Sequence, residues 1–338
     1  MKVLVLVGGD SNERAVSLNS GAAICKALIQ LGHEVRALDT GTGQSLIDSN
    51  GRLLLEGGNA PYDVASVAAP EPGALVTSFA SDYRDVDVVF LALHGGKGEN
   101  GTIQNLLELA GKKYTGSGMA ASAVAMDKAL AKRLMVAAGV PVPEGRMFRL
   151  SLDLSPEQAA RQIADSLPLP LIVKPNDGGS TIGLTKVTEK SQLLEAVRQC
   201  AQHSREVLAE RFIPGRELTV TVFDGRPFPV VEIRPKSGLY DYEAKYTKGK
   251  SEYIAPADIP VDIAKKLQKA AAAVFEVIGC RGLARVDFIL QPNGHFYCLE
   301  INTLPGMTAL SLAPMAFKCE GIEFEKLVTM IIESALKE

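Results

Sequence analysis

Four side chains with metal and phosphate chemistry meet on one face if residues 285–302 form a β-hairpin. Asn293-Gly294 separates two apolar-rich runs and is the strongest short-range hairpin signal, because both residues of such a turn take a positive φ. With these two residues as the loop, side chains two apart on each strand share a face. One face then carries Val286, Phe288, Leu290, Tyr297, Leu299 and Ile301, and the polar face carries Arg285, Asp287, Glu300 and Asn302.

The polar face suits a magnesium site associated with a nucleotide. Mg²⁺ takes oxygen ligands and usually shares them with nucleotide phosphates, and no lysine lies on this face. An arginine beside the metal suits a phosphoryl group or an oxyanion. The alternative is a surface hairpin with one arginine–carboxylate pair, in which Asn302 and the following Pro305-Gly306 have no use.

Length and composition are typical of a globular enzyme with several domains. The 338 residues exceed a typical single core, so two or three domains are expected. A net charge of −3 argues against non-specific binding to nucleic acid or to a membrane surface. The apolar run at 3–7 is too short for a signal peptide or a membrane span, which predicts a cytoplasmic protein. Five scattered cysteines without a Cys-x-x-Cys motif indicate neither a disulfide framework nor a zinc site.

The chain opens with a β-loop-α-β pattern that is typical of a doubly wound parallel sheet. Apolar strands are predicted at 3–7, 34–38 and 87–93, with a helix running to about residue 31 between the first two. Ligands bind at the carboxyl edge of such strands, which is where Glu13 and His94 stand. Glu13 suits a substrate ammonium group, although helix capping, worth about 0.3–1 kcal/mol, is an alternative. A lone histidine is more often structural, but the glycine turn after His94 favours a site.

Residues 122–212 have the pattern of an α+β unit with a phosphate-covering turn. A glycine-rich turn at 176–183 follows a strand that contains Lys174. Glycines let backbone N–H groups approach phosphates, and Lys174 adds charge. A plain turn is the alternative, and the segment is not a Walker loop because Gly-Lys-Ser/Thr is absent. The surrounding prediction is of helices at 122–138, 156–167 and 191–204 and strands at 171–175 and 207–212.

Two later segments have the composition of binding loops. Glu210-Arg211-Phe212-Ile213, with Glu217, fits an adenosine site, since a carboxylate can bind ribose hydroxyls; ordinary strand-end acids are the alternative. Residues 240–246 predict a lid in which Lys245 meets a phosphate and Tyr246 closes over the substrate, or else an exposed loop. The elements predicted around them are strands at 217–223 and 229–233, a helix at 262–278 and a final helix at 324–336.

Taken in order along nearly the whole chain, these segments resemble the D-alanine–D-alanine ligase family of the ATP-grasp fold. Each piece is modest alone, and their order makes the resemblance specific. Two departures stand out: Asn100 stands where the family usually has Asp, and 176–178 lacks the acid often found before Gly-Ser. The resembling segments are 8–17, 94–102, 126–128, 179–183, 242–246, 282–287 and 300–308.

The resemblance implies a mixed α/β and α+β fold, the ATP-grasp architecture of three domains. Residues 1–116 would form an N-terminal substrate-binding domain around the doubly wound parallel sheet. Residues 117–212 and 213–338 would form two α+β domains that sandwich ATP, and the last would carry the metal site and the lid. Residues 41–83 give weak signals and receive no role.

The resemblance also implies which residues bind ATP and metal. ATP and two Mg²⁺ ions, for which Mn²⁺ can substitute, are the expected cofactors. Lys128 and Lys174 would bind the α- and β-phosphates, and Lys245 would bind the γ-phosphate. The metal ligands would be Asp287, Glu300 and Asn302, and the adenosine ligands would be Glu210, Arg211, Ile213 and Glu217.

Two amino-acid sites are implied beside the nucleotide. Glu13 would hold the ammonium group of the first D-alanine, near His94. Arg285 and the Gly306 amide would stabilise the oxyanion. Ser180 and Tyr246 would join Glu13 in a hydrogen-bond network, and Ser311 and the Leu312 amide would bind the carboxylate of the second D-alanine.

The implied activity is ATP-dependent ligation of two D-alanines through a D-alanyl phosphate, releasing ADP and phosphate, for peptidoglycan precursor synthesis by a homodimer. One alternative within the same fold is an ester with a D-hydroxy acid or a dipeptide with D-serine. Tyr246 favours an amine acceptor, because Phe at this position is associated with ester formation. A catalytically inactive nucleotide-binding regulator is opposed by the intact polar face of the hairpin. A nicotinamide dehydrogenase is opposed by Gly8-Gly9-Asp10-Ser11, which lacks the three-glycine fingerprint.

Overall fold

The structure is a computed structural model that describes residues 1–48, 53–54, 85–236 and 249–337. The strands in these ranges form one parallel sheet and two antiparallel sheets, drawn from successive stretches of the chain. The predicted boundaries near 116 and 212 fall between the sheets, and the division into three domains stays a prediction. The predicted lid at 240–246 lies outside the described residues. In the described part, none of the helices is long and apolar enough to cross a membrane.

The first sheet is parallel and covered on both faces, as the apolar strands predicted. Strand β1 (Lys2–Val7) lies between β2 (Glu34–Asp39) and β3 (Val88–Leu91). Side chains alternate along β1, so its valines pack in one buried cluster and its leucines in another on the opposite face. The helices of this part are α1 (Arg14–Gln30), α2 (Gly96–Glu99) and α3 (Thr102–Leu109).

The second sheet is antiparallel, with strand order β4-β7-β5-β6, and two helices pack on it. The first of these helices begins at Pro156 because Ser155 and Gln158 form a reciprocal capping box, and proline suits the first helical position. The elements of this part are α4 (Met119–Met126), α5 (Lys128–Ala137), β4 (Gly145–Arg149), α6 (Pro156–Ser166), β5 (Leu171–Pro175), β6 (Thr185–Val187), α7 (Leu193–Ala201) and β7 (Glu206–Arg211).

The single helix predicted over 122–138 is wrong, because Asp127 divides it into α4 and α5. Asp127 is extended, with φ −81° and ψ 94°, and its side chain accepts a hydrogen bond from the Leu130 N–H. An aspartate that caps a helix in this way starts a new one. The break places Lys128 beside the glycine-rich turn, since the Lys128 N–H donates to the Asn176 carbonyl at 3.1 Å.

The third sheet is antiparallel, with order β11-β10-β8-β12-β13 and β9 paired to β8. Helix α8 packs on it through Leu267, Ala271 and Val274 and ends at Gly279, whose φ is +78°. The elements are β8 (Arg216–Phe223), β9 (Arg226–Pro227), β10 (Val231–Pro235), β11 (Ser251–Ile254), α8 (Val261–Ile278), β12 (Leu283–Leu290), β13 (Phe296–Asn302), α9 (Leu312–Lys318) and α10 (Phe324–Lys337).

The β12–β13 hairpin has the predicted register at its polar end but not the predicted turn. Gln291 and His295 enclose a three-residue loop, the Gly294 N–H donates to the Gln291 carbonyl at 3.0 Å, and Gly294 has a φ of +83°. Asn293 does not have a positive φ, so the prediction of a two-residue turn at Asn293-Gly294 is wrong. A register shift beyond Asp287 absorbs the extra loop residue and restores the pairing of Asp287 with Glu300.

The same bulge corrects the apolar face of the hairpin. Phe288 pairs with Cys298 and Leu290 with Phe296, so Cys298 and Phe296 share the core face with Val286 and Ile301. The placement of Tyr297 and Leu299 on that face is therefore wrong, because a one-residue shift moves alternate side chains to the other side.

Candidate active site

The polar face of the hairpin gathers Arg285, Asp287, Glu300 and Asn302, as predicted from their spacing. Arg285 pairs with Asn302 and Asp287 with Glu300 across the two strands. The Arg285 guanidinium donates to both oxygens of Asp287, at 2.9 and 2.8 Å, and the Thr219 hydroxyl donates to Asp287 Oδ1 at 2.7 Å. The Lys128 Nζ lies 3.7 Å from Glu300 Oε2. Each carboxylate is thus already beside a cation.

This donor set fits a hard divalent cation. It consists of two carboxylates and an amide oxygen, and the Asp287 and Glu300 side chains are 17% and 32% exposed, which leaves room for phosphate or water ligands. Asn302 Oδ1 accepts from the Leu304 N–H at 2.9 Å, which orients the amide. Among the described residues no three His, Cys, Asp or Glu side chains gather as a metal cluster, so a metal here would depend on ligands from a bound nucleotide.

Beside the hairpin lies a buried group that we call the lysine cluster, formed by Lys132, Lys174 and Glu210. Lys132 Nζ is 2.6 Å from Glu210 Oε1, and Lys174 Nζ is 2.9 Å from Glu210 Oε2. Burial alone would raise the pKa of Glu210, but the two lysines outweigh it and hold that pKa below its usual range. Burial would also lower the pKa of Lys174, and Glu210 with Glu300 reverses this. Glu210 and Lys174 are therefore ionised, whereas burial holds the pKa of Lys132 below its usual value.

Lys132 received no role from the sequence, although its spacing offered a signal. It lies four residues after Lys128 on α5, and side chains at that spacing share a helix face.

The structure separates the other predicted adenosine ligands from Glu210. Arg211 follows Glu210 on β7 and is exposed, so it lies on the opposite face of the strand. Ile213 is buried after that strand, and Glu217 lies in β8 opposite Ile289.

The glycine-rich turn joins this region to the start of α1. The Lys128 Nζ donates to the Gly178 carbonyl at 2.6 Å. Ser180 and Thr181 have φ values of 52° and 60°, a strained backbone for residues other than glycine that is common at functional sites. The Ser180 hydroxyl donates to Glu13 Oε1. A Cβ at Gly179 would lie 2.5 Å from Glu13 Oε2, so only glycine permits this approach.

Glu13 is held at the carboxyl edge of the first sheet by its neighbour. Arg14 is buried, donates to the Gly9 carbonyl at 3.0 Å and forms a bidentate pair with Asp39 at the end of β2. Burial would raise the pKa of Asp39, but the bonds from Arg14 and from the Gly41 N–H hold it below its usual range. Glu13 itself makes no side-chain cap bond to α1, which removes capping as the reason for its presence.

His94 and Glu99 lie close to Glu13, and we call these three residues the acidic cluster. His94 Nε2 is 3.0 Å from the Ser20 hydroxyl, and burial holds the pKa of His94 below its usual value, so the imidazole is neutral. Glu99 accepts from the Gly95 N–H at 2.6 Å and from the Leu304 N–H at 3.3 Å. Burial, and then repulsion by Glu13, raises the pKa of Glu99 to about 8. Sequence reasoning assigned Glu99 no role, because only the fold shows that it is buried.

The turn after β13 carries the remaining predicted residues. The Ser311 hydroxyl accepts from the Thr308 N–H at 3.0 Å and lies 2.9 Å from the Thr308 hydroxyl. A Cβ at Gly306 would lie 3.0 Å from Ser311 Oγ, so the Gly306 backbone passes beside this hydroxyl. Leu312 is buried as the first residue of α9. Lys245 and Tyr246 lie outside the described residues, and their roles stay predictions.

Comparison with known proteins identifies the family. The model of the D-ala D-ala ligase N-terminus matches residues 2–117, and that of the D-ala D-ala ligase C-terminus matches 134–333. The chain is 43% identical to the D-alanine–D-alanine ligase of Gloeobacter violaceus over 99% of this chain and 100% of that protein. It is 41% identical to that of Syntrophotalea carbinolica over 99% and 96% of the two chains.

Two solved structures share the fold over the whole chain, which confirms the predicted ATP-grasp architecture. The D-alanine–D-alanine ligase of Bacillus anthracis complexed with ATP has a TM-score of 0.78 at 29% identity and covers 100% of this chain and 98% of its own. The VanG D-Ala:D-Ser ligase of Enterococcus faecalis has a TM-score of 0.78 at 30% identity and covers 99% of each. These matches, spanning both ends of the molecule, show that this chain belongs to the D-alanine–D-alanine ligase family of ATP-dependent enzymes.

Proposed function

We propose that this protein joins two D-alanines to D-alanyl-D-alanine at the expense of ATP, through a D-alanyl phosphate, to supply peptidoglycan precursors in the cytoplasm. The observation that carries the proposal is the bond from Ser180 to Glu13. It connects a turn suited to covering phosphates with a carboxylate suited to holding an ammonium group. An enzyme that phosphorylates an amino acid needs those two sites side by side.

The chain's own residues divide the work between activation and condensation. Lys128 and Lys174 bind the phosphates of ATP, and Glu13 orients the first D-alanine so that its carboxylate attacks the γ-phosphorus and ADP leaves. Arg285 and the Gly306 N–H face the acyl carbon, where the amine of the second D-alanine attacks. They stabilise the oxyanion of the tetrahedral intermediate, from which phosphate departs.

The remaining residues position the second substrate and exclude water. Ser311 and the Leu312 amide bind the carboxylate of the second D-alanine. Lys245 completes the phosphate site, and Tyr246 closes the lid, which limits hydrolysis of the acyl phosphate. Arg211, Ile213 and Glu217 hold adenosine together with Glu210.

The hairpin face would hold the metal that this chemistry needs. Asp287, Glu300 and Asn302 would bind two Mg²⁺ ions, or Mn²⁺ in their place, together with the nucleotide phosphates. When bound, the metal neutralises phosphate charge and makes ADP a better leaving group. The supporting observation is the oxygen-only donor set with two partly exposed carboxylates.

A homodimer is proposed on the family resemblance, and light scattering on the purified protein tests it.

A second candidate is ligation of D-alanine to D-serine or to a D-hydroxy acid. It is favoured by the likeness to a D-Ala:D-Ser ligase at 30% identity. The tyrosine at position 246 favours an amine acceptor over a hydroxyl acceptor. A Tyr246→Phe variant therefore tests the choice, with ester formation relative to dipeptide formation expected to rise.

Phosphate release from ATP and Mg²⁺, with products identified by mass, tests the proposed function. The acceptor panel is D-alanine, L-alanine, D-serine with D-alanine, D-lactate with D-alanine, and none. We expect release that depends on D-alanine, with D-alanyl-D-alanine as the main product. A mixed dipeptide or an ester as the main product would move the assignment to the second candidate. ATP binding without turnover would leave only the inactive regulator.

A further inference from the structure

Glu99 is a buried carboxyl that none of the proposed steps uses. It is the last residue of α2 and is only 7% exposed. A buried carboxyl is costly unless its oxygens are bonded, so its partners indicate what it does. The charged groups that face it are Glu13 and Arg285.

The two oxygens of Glu99 bond to two different parts of the candidate site. Oε2 accepts from the N–H of Gly95, the residue after His94, at 2.6 Å. Oε1 accepts from the N–H of Leu304, two residues before Gly306, at 3.3 Å. The Leu304 N–H is also bonded to Asn302 Oδ1 at 2.9 Å. One side chain therefore connects the edge of the first sheet to the end of β13.

Local capping of the glycine turn does not explain this arrangement. Capping would need only the Gly95 bond, and an exposed polar side chain would provide it. The second bond reaches a residue 205 positions further along the chain. It fixes the point from which the backbone turns towards Gly306, whose N–H must meet the oxyanion at a defined distance.

We propose that Glu99 is a positioning residue that sets the Gly306 amide relative to the first D-alanine. The inference rests on the proposed function, because it assigns Glu99 a part in the same reaction. Phosphate transfer depends on the lysines and should survive the loss of Glu99. Condensation depends on the placement of the amide and should not. The consequence is a D-alanyl phosphate that forms but reaches the amine slowly and is lost to water.

The test measures the coupling of ATP use to dipeptide formation in Glu99→Gln and Glu99→Ala. Gln keeps the shape and one acceptor oxygen but places an amide NH₂ group where the second oxygen was, so it should lie between the wild type and Ala. We expect the dipeptide-forming kcat to fall, by roughly 10²-fold in Ala. We also expect more than one phosphate released per dipeptide, with affinity for a non-hydrolysable ATP analogue unchanged.

Glu108→Gln is the matched control. Glu108 also accepts from a backbone N–H, that of Met119, and from the Tyr114 hydroxyl, but it lies outside the site. It should keep one phosphate per dipeptide. If Glu99→Ala does not fold, Glu99→Gln retains the test, with analogue binding as proof of folding.

Two outcomes would overturn the proposal. One is a Glu99→Gln variant that keeps one phosphate per dipeptide and wild-type kcat. The other is a parallel loss of ATP-analogue binding, which would make Glu99 a general structural residue. Failure of the proposed function looks different, because the wild type itself would then form no dipeptide.

Discussion

The lysine cluster and the acidic cluster both adjoin the glycine-rich turn and differ in their ionisable side chains, because Lys174 lies on the strand before the turn and Glu13 accepts a hydrogen bond from Ser180 within it. In the first, two lysines, Lys132 and Lys174, enclose a single carboxylate. In the second, Glu13 and Glu99 accompany a neutral histidine. The first suits a triphosphate, and the second suits an ammonium group. We propose that each substrate is selected by the ionisable side chains of its own cluster, with Ser180 bonded to the acidic one.

The largest effect is expected in the acidic cluster, from Glu13→Gln. The variant keeps the bond to Ser180 but removes the charge that would hold the ammonium group. We expect kcat/KM for D-alanine to fall by about 10²–10³, because a charged partner is left unpaired. Affinity for an ATP analogue should change less than about twofold if the clusters are independent. A comparable loss of nucleotide affinity would show that the clusters do not divide the substrates.

The reciprocal change is Lys174→Met in the lysine cluster. It removes one of two cations from Glu210 and one from the proposed phosphate site. We expect the KM for ATP to rise by roughly 10–10², with the KM for D-alanine little changed. Lys190→Met is the matched control, since Lys190 is an exposed lysine three residues after the end of neighbouring β6. An equal effect in both variants would contradict a specific role for Lys174.

A smaller effect is expected where the two clusters meet, from Gly179→Ala. The new Cβ would lie 2.5 Å from Glu13 Oε2 and must displace the carboxylate or the turn. We expect the KM for D-alanine to rise about tenfold, since small displacements at a reacting site are costly. Gly118→Ala is the control, because the atom nearest to its new Cβ, Glu108 Oε1, lies 3.5 Å away in ordinary contact. Unchanged kinetics in Gly179→Ala would mean that the observed approach is not needed.

The smallest effect is expected in the pH dependence of the free energy of unfolding, through Glu99 of the acidic cluster. Glu99 has its pKa raised from 4.5 to about 8 in the folded protein, first by burial and then by Glu13. The folded state therefore keeps a proton that the unfolded chain releases, and stability falls as pH rises towards 8. The difference in unfolding free energy between the wild type and Glu99→Gln should decline by on the order of 1 kcal/mol between about pH 7 and 8. Urea unfolding measures it, and a difference independent of pH would contradict the raised pKa.

The sequence predicted contacts whose signals are local and missed those that only the fold creates. The pairing of Asp287 with Glu300 was correct even though the turn was wrong, because a bulge compensated for a longer loop. The helix break at Asp127 carried a capping signal that periodicity concealed. Glu99 could not be predicted, since its importance depends on burial and on a bond to Leu304.

The family resemblance supplied roles that spacing alone could not. Spacing along one chain does not show that Glu13 and Ser180 meet, because 167 positions separate them. The fold brings the two residues into a hydrogen bond, and the wider network that the resemblance implied stays a prediction. The roles of Lys245 and Tyr246 stay predictions, because both lie outside the described residues.

Transfer of oxygen from D-alanine to phosphate tests the central claim, that the two clusters bring ATP and an amino-acid carboxylate into one reaction. D-Alanine labelled with ¹⁸O in both carboxylate oxygens is incubated with ATP and Mg²⁺, and the phosphate is examined by mass spectrometry. Attack by that carboxylate on the γ-phosphorus predicts one ¹⁸O atom in each phosphate released and three in each dipeptide. Unlabelled phosphate formed together with dipeptide would contradict the account.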